Sequence, residues 1–276
     1  KLVFEKVKEE YALNKNVPAE RMQEYVKVLN QAHTDWLKAR AAQDFGLLEE
    51  TLTKVVAFQK EFIPYWQKEE KTPYDVLLNQ FEPGMTVEKL DQVFDQVKQG
   101  IQEIRTVLAE KGTPPRTDFL SRKMTKEQQR RFVIGVVEQL GYDFSKGRLD
   151  DTVHPFMTAL NRNDARITTR WEENNFSMAT FGVIHEAGHG MYEQNFDPKF
   201  DFTPLSEGAS MGIHESQSLF NEIIIGSNRA FWQKQYPFFQ ECAEGTFDDI
   251  AFEDFYASLK ETKASLIRID SDSLTY

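Results

Sequence analysis

Cysteine is all but missing from this sequence: Cys242 stands alone among 276 residues. That excludes an internal disulfide framework and fits a reducing compartment. Glycine and proline are sparse, at 14 and 10 residues, which excludes a collagen-like chain or a Pro/Gly-rich linker. Long apolar runs are missing as well. The longest, from Phe132 to Val137, falls far short of the ~20 residues that cross a bilayer. Positive charge is in deficit: 33 basic against 44 acidic residues leave −11, the wrong sign for a general nucleic-acid binder. No self-similarity at a period of about 20–50 residues is visible, which argues against a solenoid. What remains is a soluble, acidic, globular chain of cytoplasmic character, long enough for one large domain or two small ones. It opens on Lys1 already in a helical pattern and breaks off at Tyr276 as if in mid-element. No signal peptide is visible, and both ends suggest an excerpt.

The first half reads as long amphipathic helices. Met22, Tyr25, Val26, Leu29, Ala32, Trp36 and Leu37 recur at three- and four-residue steps between Pro18 and about Ala42. A second stripe runs from about Leu47 to Gln67, with Pro64 as a kink or an end. A third spans Val87 to Ala109 and stops at Gly112-Thr113-Pro114-Pro115. Thr125-Lys126-Glu127-Gln128 is a capping box that starts a fourth helix, ending before Gly141. The period then changes. Ala165, Ile167, Thr169 and Trp171 alternate with Arg166, Thr168 and Arg170, as in a half-exposed strand of a small sheet. Helix returns from about Ser177 to Asn195, from about Ser206 to Ile225, and on to about Lys263.

Chemistry concentrates in His185-Glu186-Ala187-Gly188-His189. On a helix, residues four apart lie one above the other, so two imidazoles can reach one metal. Glu186 between them is placed to act as general base toward a metal-activated water. The helix is apolar nearly all round, and buried imidazoles and carboxylates are costly unless something satisfies them. Gly188 and Gly190 weaken a helix, and close approach of another helix or of the metal would explain them. A catalytic zinc needs a third protein ligand and an open position. Glu215 supplies it on a stripe with Met211 and Leu219. His214 is the rival, about 100° away around the same helix, and is read as a transition-state or substrate contact. Leu219 occupies the position four residues beyond Glu215 where a thermolysin-like pattern has an aspartate. The carboxylate supporting the histidines must come from elsewhere, with Asp164 as the candidate.

With these residues in hand, the chain resembles the Taq-type metallocarboxypeptidases, the thermostable carboxypeptidase 1 family. The likeness rests on His185–His189, on His214-Glu215-Ser216-Gln217, on His154-Pro155-Phe156, on Asp164-Ala165-Arg166-Ile167-Thr168, and on Ile267-Arg268-Ile269-Asp270-Ser271-Asp272. Ser271 stands where the family has Ala. Family members are longer at both ends, with a Gly-x-x-Gln-Asp-x-His-Trp motif beyond this chain's end. The resemblance implies a mainly α, zincin-like helical metallopeptidase with a small β-sheet beside the active-site helix. Residues 1–276 are then a single peptidase region, with 1–140 as helical walls of a groove and 141–276 carrying the sheet and the metal-site helices. It further implies Zn2+, or Co2+, held by His185, His189 and Glu215. It also implies removal of single C-terminal amino acids from peptides with a free carboxylate, and a possible homodimer. An exopeptidase must grip that carboxylate, and a guanidinium does so through a two-pronged contact; Arg268 and Arg166 are the candidates. Strand 164–166 could line the groove and bind substrate backbone by strand addition. Two rival readings stay open: a metalloendopeptidase with the same chemistry, and a helical module whose structural metal is closed by His214.

Overall fold

Apolar spacing in the N-terminal third leads directly to a helical packing unit. The computed structural model describes residues 1–262. The Ile267–Asp272 motif, including Arg268, lies outside the described residues. The chain forms two compact units, one spanning Lys1–Leu90 and the other starting at Asp91. The first is built from α1 (Leu2–Asn14), α2 (Ala19–Ala42), α3 (Gly46–Trp66) and α4 (Pro73–Phe81). Phe58, Phe62, Ile63 and Trp66 of α3 form its core with Tyr25 of α2 and Val76 of α4. Tyr25 and Phe62 meet edge to face with centroids 5.4 Å apart. Pro64 falls in the last turn of α3, which runs only to Trp66.

Helix α4 carries a signal that the apolar periodicity does not. Thr72-Pro73-Tyr74-Asp75 is a capping box with proline at the first helical position. Asp75 accepts from the backbone N–H of Thr72 at 3.0 Å, and the Thr72 hydroxyl accepts from Asp75 N–H at 3.1 Å. The second carboxylate oxygen of Asp75 accepts from Val87 N–H at 2.7 Å, tying α4 to the first residue of α5 (Val87–Lys111).

The second unit contains α6 (Lys126–Leu140), β1 (Leu149–Asp151), β2 (Met157–Asn161), β3 (Asp164–Thr169), α7 (Phe176–Gln194), α8 (Met211–Leu219), α9 (Arg229–Cys242) and α10 (Phe252–Leu259). The predicted box starts α6: the Thr125 hydroxyl accepts from Gln128 N–H, and the helix ends on Gly141 at φ 115°, a left-handed conformation suited to glycine. Phe132, Val136, Phe176, Val183, Trp232 and Phe239 anchor a core shared by α6, α7 and α9. The isolated Cys242 is buried there, and burial raises its thiol pKa.

The strand predicted at 163–171 is β3, and it occupies the middle of a three-stranded sheet ordered β1-β3-β2. It pairs parallel to β1, with Leu149 beside Ile167, and antiparallel to β2, with Met157 beside Ile167. Of the segment expected to add substrate backbone, residues 164–166, one edge is taken by β2, whereas the pairing with β1 covers only 167–169. Ala165, Ile167 and Thr169 are buried as the alternation requires. Thr168, on the other face, is buried too. Its hydroxyl donates to the Phe156 carbonyl and accepts from the Phe156 N–H, each at 2.8 Å.

One correction concerns α8, expected from about Ser206. It begins only at Met211, where the Ser210 side chain caps it by accepting from Ile213 N–H at 3.1 Å. It then runs into a π-helical turn, Phe220–Ile225.

Candidate metal centre

Helix α7 is buried along much of its length because its sequence is apolar around nearly the whole circumference. That places His185 and His189, four residues apart, on one face with ring centroids 5.0 Å apart. Gly188 lets α8 reach them. A Cβ at that position would stand 2.7 Å from the Gln217 carbonyl oxygen and from Ser218 Cα, both α8 backbone atoms. Gly190 admits Tyr142 in the same way, with the ring carbon 2.7 Å from an added Cβ. Tyr142 in turn donates to the Ala165 carbonyl at 2.6 Å, fixing the sheet beside α7. Close approach of these neighbours thus accounts for both glycines.

Across this contact, Glu215 reaches the two histidines. Its carboxylate lies 3.2 Å from His189 Nε2 and 3.8 Å from His185 Nε2. One donor atom from each of the three residues lies within 4.8 Å of the other two. Donors about 2.0–2.1 Å from a tetrahedral zinc stand about 3.4 Å from one another, so this two-nitrogen, one-oxygen set fits such an ion. Glu215 is not the buried stripe residue of the expectation. Its side chain is 48% exposed and Met211 is exposed as well. The carboxylate leaves α8 on the open side of the site and is satisfied by the histidines rather than by packing. Its pKa is lowered, first by the hydrogen bond with His189 and further by the charges of both histidines.

Glu186 is a different kind of carboxylate. It is buried on α7, and loss of solvent pushes its pKa up to about 7, with the charge of His185 opposing and those of Glu215 and Glu222 adding. A carboxyl near neutrality can both take up and release a proton.

The supports of the two histidines are unequal. His185 Nδ1 lies 2.7 Å from Glu222, a residue of the π-helical turn. Burial acts to lower the His185 pKa, but the hydrogen bond and charge of Glu222 outweigh it and the pKa is raised. His189 Nδ1 instead faces His214 Nδ1 at 2.6 Å, and His214 Nε2 faces Glu193 at 2.8 Å. Glu222 and Glu193 were not foreseen. The signal for Glu222 is its spacing of seven from Glu215, two turns on the same face; for Glu193 it is the four-residue step from His189. Asp164, the candidate support, is committed elsewhere: it accepts two bonds from Arg166, each 2.7 Å. Arg166 is therefore held in an ion pair along β3. His154 is exposed, and its motif meets β3 through the Phe156–Thr168 bonds. His33 is exposed beside Trp36. A cavity of about 350 Å³ opens between the turn joining β2 to β3 and the loop before α8. Arg162, Asp201 and Glu193 line it, but none of the three clustered donors does.

Comparison with known proteins adds a family. The model of the carboxypeptidase Taq (M32) metallopeptidase family matches residues 1–276. "Carboxypeptidase 1" of Bacillus subtilis (strain 168) is 46% identical over 276 residues, covering 100% of this chain and 55% of its own length. "Thermostable carboxypeptidase 1" of Thermus thermophilus is 33% identical over 274 residues, covering 96% and 54%. The crystal structure of the M32 carboxypeptidase from Deinococcus radiodurans R1 superposes with a TM-score of 0.89 at 35% identity, over 99% of this chain and 55% of that one. The chain thus spans about half the length of the relatives it matches.

Proposed function

This chain belongs to the carboxypeptidase Taq (M32) metallopeptidase family, and from that premise we propose that it carries the catalytic centre of a zinc-dependent metallocarboxypeptidase. The full-length protein would release single C-terminal amino acids from peptides. The observation that carries the reading is the convergence of His185, His189 and Glu215 from two helices onto one point, with Glu186 on the same helix as the histidines. These three residues would hold the ion, Zn2+ or in its place Co2+. A divalent metal there supplies Lewis acidity toward the scissile carbonyl and toward water. Glu186 accepts a proton from the attacking water. It then delivers that proton to the nitrogen of the departing amino acid as the C–N bond breaks.

Recognition of the terminal carboxylate falls to a guanidinium, Arg268 ahead of Arg166. The pairing of Arg166 with Asp164 supports that order, because its fork is already engaged. The reading as a structural site closed by His214 is disfavoured, since both ring nitrogens of His214 already have protein partners. A cytoplasmic location and a homodimer rest on composition and family resemblance; among the described residues no helix is long and apolar enough to cross a membrane.

The test uses the full-length protein, metal analysis, and a peptide pair differing only in a free or amidated C-terminus. The expected result is one zinc per chain and cleavage confined to the free acid. Equal cleavage of the amidated peptide would make the protein an endopeptidase. His189→Ala should lose the metal, and stoichiometric zinc in that variant would refute the ligand set.

A further inference from the structure

The two histidine ligands differ in their support, and the difference is His214. His189 directs Nε2 toward Glu215 at 3.2 Å, so Nε2 is its ligating nitrogen and its proton sits on Nδ1. Among the described residues that proton has one destination, His214 Nδ1 at 2.6 Å. His214 must then accept at Nδ1 and carry its own proton on Nε2, which donates to Glu193 at 2.8 Å. The tautomers are forced one after another along the chain. All three side chains are largely buried, at 14%, 21% and 12% exposed for His189, His214 and Glu193. The site is also shaped around the His214 ring. Tyr192 stands edge-on to it with centroids 5.3 Å apart, and a Cβ at residue 208 would lie 2.7 Å from its Cδ2.

We infer that His214 and Glu193 are positioning residues for the metal ligand His189, an imidazole–carboxylate relay that fixes its tautomer and ring plane. His185 has the shorter support, among the described residues a direct contact with the Glu222 carboxylate. With Nδ1 accepting and Nε2 donating inside the protein, His214 has no N–H left for a substrate oxygen. The inference rests on the metal-centre reading above, and its test separates the two.

The full-length protein is stripped of metal and titrated with Zn2+ against a chromophoric chelator. It is also loaded with Co2+ for its visible spectrum, and kcat and KM are measured on a free-acid peptide. His214→Phe should bind Zn2+ about 10–100-fold more weakly than the parent, shift the Co2+ bands, and lower kcat with KM little changed. His214→Asn places a side-chain oxygen near the former Nδ1 and should recover most of the affinity. Glu193→Ala should move the same three readouts in the same direction by less. If His214→Phe fails to fold, Gly208→Ala takes its place, since the added methyl presses on the His214 ring. Parent Zn2+ affinity and an unshifted Co2+ spectrum with raised KM would make His214 a substrate contact and overturn the inference. A parent protein that binds no Zn2+ would overturn the metal-centre reading itself.

Discussion

Asp75 in the first unit and Glu186 in the second are carboxylates buried to similar depth, at 3% and 7% exposed. Their chemistry diverges because of what surrounds the oxygens. Asp75 accepts from two backbone N–H groups, and the bond from Val87 leads the causes that hold it below its ordinary pKa of 3.8. Glu186 sits among apolar neighbours and other carboxylates, and desolvation lifts it to about 7. Backbone donors turn a buried carboxylate into a fixed anion that joins two helices. Without them, burial turns it into a group that exchanges protons near neutrality. Environment, not residue class, sets the two carboxylates apart, one as a structural anion and the other as the proposed proton acceptor.

The largest expected effect follows from removing the proton acceptor alone. Glu186→Gln keeps shape and metal ligands but cannot take up a proton. The full-length variant should retain stoichiometric zinc and lose about 10²–10⁴-fold in kcat. Metal analysis beside steady-state kinetics decides it, and parent-like turnover would remove Glu186 from the reaction.

A smaller effect is expected in stability. In metal-stripped protein the folded-state pKa of Glu186 is raised above the ordinary 4.5, so the folded state holds its proton longer than the unfolded state does. Its contribution is therefore least harmful below pH 4.5 and turns increasingly unfavourable as pH rises from 4.5 to about 7. Above that range the penalty is constant, on the order of 3 kcal/mol. Metal-stripped Glu186→Gln should gain stability over the metal-stripped parent as pH rises through this window, measured by urea unfolding. A difference that does not change with pH would mean that the buried carboxyl stays solvated.

The sequence disclosed these two carboxylates unequally. The pairing of His185 with His189 was legible because helical spacing alone brings them together; Glu215 joins them, but from the open side of α8 and not from the buried stripe that singled it out. The capping box at Thr125 was legible for the same local reason. Thr72-Pro73-Tyr74-Asp75 carries an equivalent box, but α4 is short and its apolar stripe slight, so periodicity passed over it. Glu222 and Glu193 have only a spacing signal, seven residues from Glu215 and four from His189, and spacing alone does not say which histidine each one meets. The π-helical turn after Leu219 presents Glu222, and Glu193 meets its partner only across the α7–α8 contact that Gly188 permits. The start of α8 was misplaced because Ser206 to Ser210 reads as helix-compatible, whereas the close packing of Gly208 on His214 keeps that segment a loop. Two short strands are needed to make β3 central, and three residues of β1 give almost no signal of their own.

The smallest expected effect tests the other half of the comparison. Asp75→Asn keeps the side chain's size but leaves one oxygen where two accepted, so either Thr72 N–H or Val87 N–H loses its partner. The loss falls on the start of α4 and its tie to Val87, within the first unit, whereas the clustered donors belong to the second. Zinc content and KM should therefore match the parent while the thermal midpoint drops by a few degrees. The sign with pH is opposite to that of Glu186. A carboxyl whose folded pKa is depressed stabilises fully above its unfolded value and loses that contribution as pH falls through the folded one. Parent and Asp75→Asn should differ most at neutral pH and converge below about pH 3.8 as the parent's carboxylate takes up its proton. Thermal scans of both proteins from neutral to acid pH measure this. A gap that widens on acidification would show that the bonds to Thr72 and Val87 do not hold Asp75 as an anion, and the contrast with Glu186 would then need a cause other than backbone donors.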